Sequence, residues 1–220
     1  MRQYNDPCGL ARALNLVGER WALLIVRELL LGAKRFSDLR EGLPGISPNV
    51  LSQRLASLSE RGIVQQKRIR PPINANVYQL TTVGQQLEPV LLALADWGSR
   101  AQPPSAGEMS VDALLLAMRT TANLERSPRP GIYQLDLDDD AVTVEVSDAG
   151  LSIKRQLVDS PLVTMIMQPA VLRAVMFGGR SLSDAVKAGE VTITGKIADA
   201  ESFLELFERP QLIQDQQAEA

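Results

Sequence analysis

Residues 46–70 read ISPNVLSQRLASLSERGIVQQKRIR, and the alternation of polar and apolar residues here decides what kind of domain begins the chain. Ser47 offers an oxygen to the free N–H groups of a first helical turn, and Pro48 suits the first helical position, where its missing N–H costs nothing. Leu51, Leu55 and Leu58 recur at i, i+4 and i+7 and make one apolar stripe. Asn49, Gln53, Ala56 and Ser57 fall on the opposite side, a small, amide-rich face with no acid before Glu60. Gly62 stops the helix. Residues 63–70 then read as an extended ribbon carrying Gln65, Gln66, Lys67, Arg68 and Arg70. Asn and Gln can bond adenine bidentately, and Lys and Arg neutralise phosphates, so the stretch suits a DNA groove. Taken alone, such a helix fits an ordinary solvated surface helix as well, and its surroundings must decide.

Upstream, Leu10, Ala13, Leu14 and Val17 mark a helix that stops at Gly18. Residues 21–31, WALLIVRELLL, predict a second helix that is apolar on most sides and therefore buried. Ser37 is expected to cap a short third helix holding Leu39, and Gly42, Pro44 and Gly45 turn the chain into Ser47. Downstream, residues 63–70 and 76–80 predict two strands, with Pro71, Pro72, Ile73 and Asn74 at the tip between them. Thr81 or Thr82 starts a long helix, which Pro89 should bend. Along it Val83, Leu87, Val90, Leu94 and Trp97 form a heptad-like seam. The seam packs either on the domain's own core or on a second subunit.

Cys8-Gly-Leu, Gly18-Glu-Arg-Trp21, Leu29-Leu-Leu-Gly32, Arg35-Phe-Ser-Asp-Leu39, Pro44-Gly-Ile-Ser-Pro48, Leu51-Ser-Gln-Arg-Leu55 and Tyr78-Gln-Leu-Thr81 stand in the order seen in the HxlR-type winged-helix transcription regulators. The resemblance covers about residues 5–100. It implies a dimeric, cytoplasmic protein that binds double-stranded DNA, with the helix at residues 47–61 in the major groove and the ribbon as the wing. On this reading the DNA-contacting residues are Ser47, Asn49, Ser52, Gln53, Arg54, Lys67, Arg68 and Arg70. The first helix and the 82–97 helix form the homodimer. Cys8 has two readings: a redox-active thiol, as in some relatives, or a small apolar residue buried at a helix start.

Residues 101–109 predict a linker between this domain (1–100) and a second one (110–208), with a polar tail at 209–220. Ser110 caps a helix holding Leu114, Leu115 and Met118. Residues 132–137, 141–147, 151–158 and 162–167 then read as strands separated by Asp-, Gly- and Pro-bearing turns. Val142, Val144 and Val146 alternate as if one face of their strand were buried. A helix at 169–177, a strand at 190–194 and a helix from Asp199 follow. This describes a meander of about five strands with helices packed on it, an α+β layer fold with a mostly antiparallel sheet. The region resembles the sterol-carrier-protein type of lipid-binding domain through the meander, the Gly189-Glu-Val-Thr-Ile-Thr-Gly195 strand and the closing helix. That resemblance implies an apolar tunnel for a fatty-acid-like small molecule. Met118, Met165, Met167, Met176 and Phe177 either line it or are ordinary core. Arg155 shares a strand face with Leu151, Ile153 and Leu157. It either meets a ligand carboxylate or snorkels out at a strand end.

Composition narrows the chemistry. Residues 1–100 hold 13 Lys/Arg and 8 Asp/Glu, while residues 101–220 hold 10 and 18. The first half is thus the one suited to a polyanion. Histidine is absent and there is a single cysteine, which removes the His-based triads and zinc motifs and any intrachain disulfide, and points to a reducing compartment. The opening MRQYNDP lacks the apolar core of a signal peptide, and no apolar run reaches the ~20 residues that span a bilayer. No metal, cofactor or enzymatic activity is expected. The sequence describes a winged helix-turn-helix regulator whose second domain senses an apolar small molecule. The alternative is an apolar-ligand carrier or enzyme whose winged helix serves dimerisation or protein contacts.

Overall fold

The computed structural model describes residues 4–70, 74–101, 107–126 and 129–213, in two compact units, 1–91 and 92–220. The first holds α1 (Gly9–Val17), α2 (Ala22–Leu29), α3 (Phe36–Glu41), α4 (Pro48–Glu60), β1 (Val64–Ile69), β2 (Ala75–Leu80) and α5 (Thr82–Gln85). The unit boundary falls inside α6 (Glu88–Ser99). The core gathers Ile25, Val26 and Leu29 of α2, Leu39 of α3, the Leu51, Leu55 and Leu58 stripe of α4, Ile63, and Leu91 of α6. Each of the three α4 leucines is fully enclosed, which stabilises the fold by roughly 1.5–3 kcal/mol per side chain.

Four local expectations change. Trp21 does not begin α2; it stands before it in the left-handed region at φ 77°, an uncommon place for a bulky side chain. Ser37 does not cap α3. Arg35 holds the cap position, and its N–H donates to Asp38 Oδ2 at 3.0 Å. Pro89 does not bend a continuous helix: the chain forms α5, breaks at Gln86 and Leu87, and restarts as α6. Pro89 then sits in the first turn of α6, where it removes no intrahelical bond. The seam is also divided, since Leu87 packs against the core while Val83, Val90, Leu94 and Trp97 are exposed.

One buried charge is not apparent from the sequence. Glu28 of α2 has no solvent exposure. Its Oε1 accepts from Arg27 Nη2 at 2.7 Å and its Oε2 from Lys34 Nζ at 2.9 Å, which meets the requirement that a buried carboxylate be paired. A Cβ on Gly42 would run into this carboxylate; the glycine is needed there for space.

The second unit holds α7 (Val111–Thr121), β3 (Gly131–Leu137), β4 (Asp140–Ser147), β5 (Gly150–Arg155), β6 (Val163–Met167), α8 (Pro169–Phe177), α9 (Leu182–Lys187), β7 (Val191–Gly195) and α10 (Ile197–Leu204). The five-stranded sheet has the order β5-β4-β3-β6-β7. All its neighbours are antiparallel except β3 and β6, which are parallel. It is therefore not a simple meander. After β5, residues 156–162 cross to the far side of β3 instead of turning back. The crossing spans three strand spacings, about 14 Å, within reach of seven residues at up to ~3.3 Å each. It also explains why both faces of β4 are shielded at its centre. Val142, Val144 and Val146 face the helices, and Thr143 on the opposite face is buried too. Thr143 Oγ1 lies 2.9 Å from the Gln156 carbonyl and 3.1 Å from Gln134 Oε1. β5 ends at Arg155, short of residue 158; α10 begins at Ile197; and α9 has no counterpart among the elements expected from the sequence. On the helix-facing side Tyr133 stacks on Phe203, with ring centres 4.4 Å apart, and Phe207 meets Phe203 edge-on at 5.3 Å.

Candidate nucleic-acid interface

The interface is built on α4. Ser47 Oγ accepts from the Val50 N–H at 3.3 Å, Pro48 follows at the first helical position, and Gly62 at φ 69° closes the far end. With its leucine stripe turned into the core, the helix must present the other side outward. Asn49, Ser52, Gln53 and Ala56 are all exposed on one stripe, spaced i, i+3, i+4 and i+7. Over those seven steps the helix rises about 10 Å.

The ribbon follows at once. β1 and β2 pair from Val64↔Leu80 at the base to Ile69↔Ala75 near the tip. Val64, Val77 and Leu80 are buried and anchor it. Lys67, Arg68 and Arg70 are exposed, and Arg68 Nη2 donates to Asn74 Oδ1 at 3.3 Å. Pro71, Pro72 and Ile73, expected at the tip, lie outside the described residues. Lys34 adds a short third edge: its N–H and carbonyl bond Tyr78 at 2.9 and 2.8 Å.

Arg54 departs from its expected place at the flank of the base-reading face. Its Nε donates to the Arg20 carbonyl at 3.0 Å and its Nη2 pairs with Glu19 at 2.8 Å. Arg61 likewise turns back, donating to the Leu16 carbonyl at 2.7 Å. Both arginines thus tie α4 to the end of α1 and the turn beyond it. Sequence reasoning passes over Arg35 and Arg40, which are exposed at the two ends of α3. The available signal is their position on the first helix of the helix-turn-helix, which in this motif crosses the DNA backbone.

Two exposed apolar strips accompany the interface. α1 shows Leu10 and Leu14 at i and i+4, with Leu16 exposed on another side of the helix, and α6 shows Val90, Leu94 and Trp97 at i, i+4 and i+7. Cys8 stands at the N-cap of α1, exposed and not enclosed, with its N–H donating to Asp6 Oδ1 at 2.9 Å.

In the second unit Met118, Met165, Met167 and Met176 are buried in the layer between sheet and helices, and Phe177 is half-buried at the end of α8. Arg155 does lie on the core face, in register with Val142 and Leu135. It neither snorkels nor awaits a carboxylate, because Asp112 of α7 and Asp140 of β4 already hold it. Burial opposes its charge, but the hydrogen bonds to Asp112 and Asp140 outweigh that and raise its pKa above the ordinary guanidinium value. Among the described residues no group of three or more His, Cys, Asp or Glu is placed to hold a metal ion, and no helix is long and apolar enough to cross a membrane.

Helix, turn, outward-facing second helix and basic two-stranded wing define a winged helix-turn-helix DNA-binding transcription regulator. Comparison with known proteins agrees. Residues 16–106 match the family described as HxlR-like helix-turn-helix. An uncharacterised HTH-type transcriptional regulator of Bacillus subtilis, YvaP, is 37% identical over 95 residues, 43% of this chain and 87% of its own length. One of Mycobacterium tuberculosis, MT3179, is 39% identical over 98 residues, 44% of this chain and 61% of its own. Among solved structures, the redox regulator HypR in its oxidised form is 28% identical, covering 44% of this chain and 100% of that one with a TM-score of 0.41. The chain belongs to the HxlR-like helix-turn-helix family of transcriptional regulators. The second unit matches a different family from the sterol-carrier type expected: residues 130–213 match the one described as alkyl sulfatase C-terminal.

Proposed function

We propose that this regulator is a homodimer that binds double-stranded DNA through α4 and its wing, and that its second unit takes up an apolar small molecule. The observation that carries the DNA reading is the exposed Asn49, Ser52, Gln53 and Ala56 stripe, held outward by three buried leucines and followed directly by Lys67, Arg68 and Arg70. Asn49 and Gln53 read base edges, Ser47 and Ser52 flank them, and the wing cations meet phosphates. The exposed apolar strips on α1 and α6 supply the dimer surface, because an exposed row of this kind marks an association site. The protein works in the cytoplasm as a binding protein.

The match of the second unit to a family named for alkyl sulfatases supports a ligand with an alkyl chain. Met118, Met165, Met167, Met176 and Phe177 would form its wall, since thioethers repack around flexible guests. Arg155 is not part of this reading, its donors being engaged by Asp112 and Asp140. A ligand held there alters DNA affinity only by binding one arrangement of the dimer better than another.

The same match favours a second reading, in which the second unit is a carrier or part of an enzyme and the winged helix serves association. Retention of duplex DNA by the full-length chain, with one sequence enriched over a random pool, supports regulation. A chain that retains no duplex at low salt overturns it. Native mass spectrometry of the purified protein checks the ligand: a co-purified apolar molecule is expected, and a bare chain that binds no C8–C16 fatty acid or alkyl alcohol removes that part.

A further inference from the structure

We propose that the α4 face reads A·T base pairs, so that the half-site under this helix is A·T-rich and contains no guanine contacted from α4. The inference rests on the DNA-binding reading above and names the class of sequence it takes.

Guanine is the base that arginine and lysine recognise, through its O6 and N7 acceptors. The exposed stripe of α4 offers neither. Its members are Asn49, Ser52, Gln53 and Ala56. The one guanidinium within that stretch, Arg54, is committed to the Arg20 carbonyl and the Glu19 carboxylate. Arg61 at the end of α4 is turned back to the Leu16 carbonyl. What remains is matched to A·T pairs. The Asn49 and Gln53 amides both donate and accept, which fits adenine N6 and N7, and the Ala56 methyl suits the thymine methyl. Ser52 is indifferent, bonding either kind of pair.

Glu60 is the one exposed residue of the helix that could favour a G·C pair, by accepting from cytosine N4. It sits in the last turn of α4, about 6 Å along the axis from Ala56. Base contacts of a recognition helix come from its N-terminal residues, and a carboxylate in the last turn lies toward the phosphates, which repel it.

The test is selection from a random-sequence duplex pool by the full-length protein at one fixed salt concentration, repeated with Asn49→Ala, Gln53→Ala, Gln53→Arg and Arg54→Ala. Positions whose preference flattens in Asn49→Ala or Gln53→Ala are those read by α4, and they are expected to be A·T. Gln53→Ala should weaken binding to the selected site by about 5–150-fold. Gln53→Arg should move one position per half-site to G·C. Arg54→Ala should leave base preference as it is; if circular dichroism shows that variant unfolded, Arg54→Lys takes its place. A wild-type motif with G·C at a position flattened by Asn49→Ala or Gln53→Ala overturns the proposal. So does a guanine preference that disappears with Arg54. A wild-type protein that selects no sequence at all overturns sequence-specific binding itself, a result distinct from either of these.

Discussion

Arg155 at the end of β5 and Asp112 in the first turn of α7 form a two-pronged pair, Nη1 to Oδ1 at 2.7 Å and Nη2 to Oδ2 at 2.9 Å. Asp112 is 2% exposed, and Asp140 takes the remaining Nε at 2.7 Å. The pair joins a helix to an edge strand at a point where the sheet's apolar face would otherwise carry a lone charge. Removing Arg155 takes the guanidinium from the buried Asp112, whereas removing the Asp112 charge leaves Arg155 held by Asp140. Arg155→Met is therefore expected to cost about 3–5 kcal/mol in urea unfolding, and Asp112→Asn less. The double variant Asp112→Leu/Arg155→Met should recover much of that, because the buried pair is gone and Asp140, the carboxylate left behind, is 34% exposed. A double variant as unstable as the sum of the singles would show that the pair is not acting as a unit.

Tyr133 ties stability to alkaline pH. Its hydroxyl donates to the Arg129 carbonyl at 2.7 Å, and its ring lies against Phe203. Burial first, then the nearby Asp199 carboxylate, raise its pKa above the usual 10.0, while Arg129 pulls the other way. In the unfolded chain the phenol loses its proton at about pH 10. The folded chain keeps the proton to higher pH, so above pH 10 the folded state binds more protons and stability falls until the folded pKa is passed. Unfolding free energy should therefore decline above pH 10 in the wild type and decline less steeply in Tyr133→Phe. At neutral pH the same variant should cost only the lost hydrogen bond, about 0.5–1.5 kcal/mol. Equal alkaline slopes in the two proteins would assign the decline to other groups.

How far each feature can be read from sequence depends on where its partners lie. The Ser47 cap, the Pro48 start, the leucine stripe and the Gly62 stop are local, and each is found where its chemistry puts it. α8 matches residue for residue because Pro169 and Gly178 bracket it. What escapes depends on partners distant in sequence. The parallel pairing of β6 with β3 leaves no mark in either strand's own residues. Arg155 reads as a misplaced cation because Asp112, its partner, stands 43 residues away on a different element. Helical position alone puts Arg54 beside the exposed amide stripe, since it does not reveal the acceptors at Glu19 and Arg20. Glu28 is hidden within an apolar run, and its pairing with Lys34 appears only once α2 has packed.

The dimer reading makes a demand on α6. Val90, Leu94 and Trp97 share one exposed face, with Trp97 at 66% exposure, whereas Leu91 is buried and Leu87 touches the core. Charge placed on the exposed row should break association without harming the protomer. Leu94→Asp is expected to sediment as a monomer at micromolar concentration and to unfold at the same urea midpoint as a wild-type protomer. Leu87→Asp would confuse the two effects. A Leu94→Asp protein that remains as associated as the wild type would move the dimer surface elsewhere.

The wing and the helix should fail in different ways when altered. Lys67 and Arg68 are exposed on β1, opposite Val77 and Asn76 of β2, and phosphate contacts from such positions carry no base information. Their contribution is counterion release, which appears as the slope of log affinity against log salt. That slope changes by about one for each phosphate the protein ceases to neutralise. Lys67→Ala/Arg68→Ala should therefore lower it by about two and weaken specific and random duplexes alike. Gln53→Ala should leave the slope unchanged and weaken only the preferred site. The Arg68–Asn74 hydrogen bond at 3.3 Å adds a finer expectation. It is a single bond on an exposed ribbon, so Asn74→Ala should free the guanidinium and keep the full slope. Binding curves across a series of salt concentrations, for each variant on both duplexes, measure all of this. A double wing variant whose slope equals that of the wild type would mean that these cations are merely solvated, and that α4 and its neighbours make every phosphate contact.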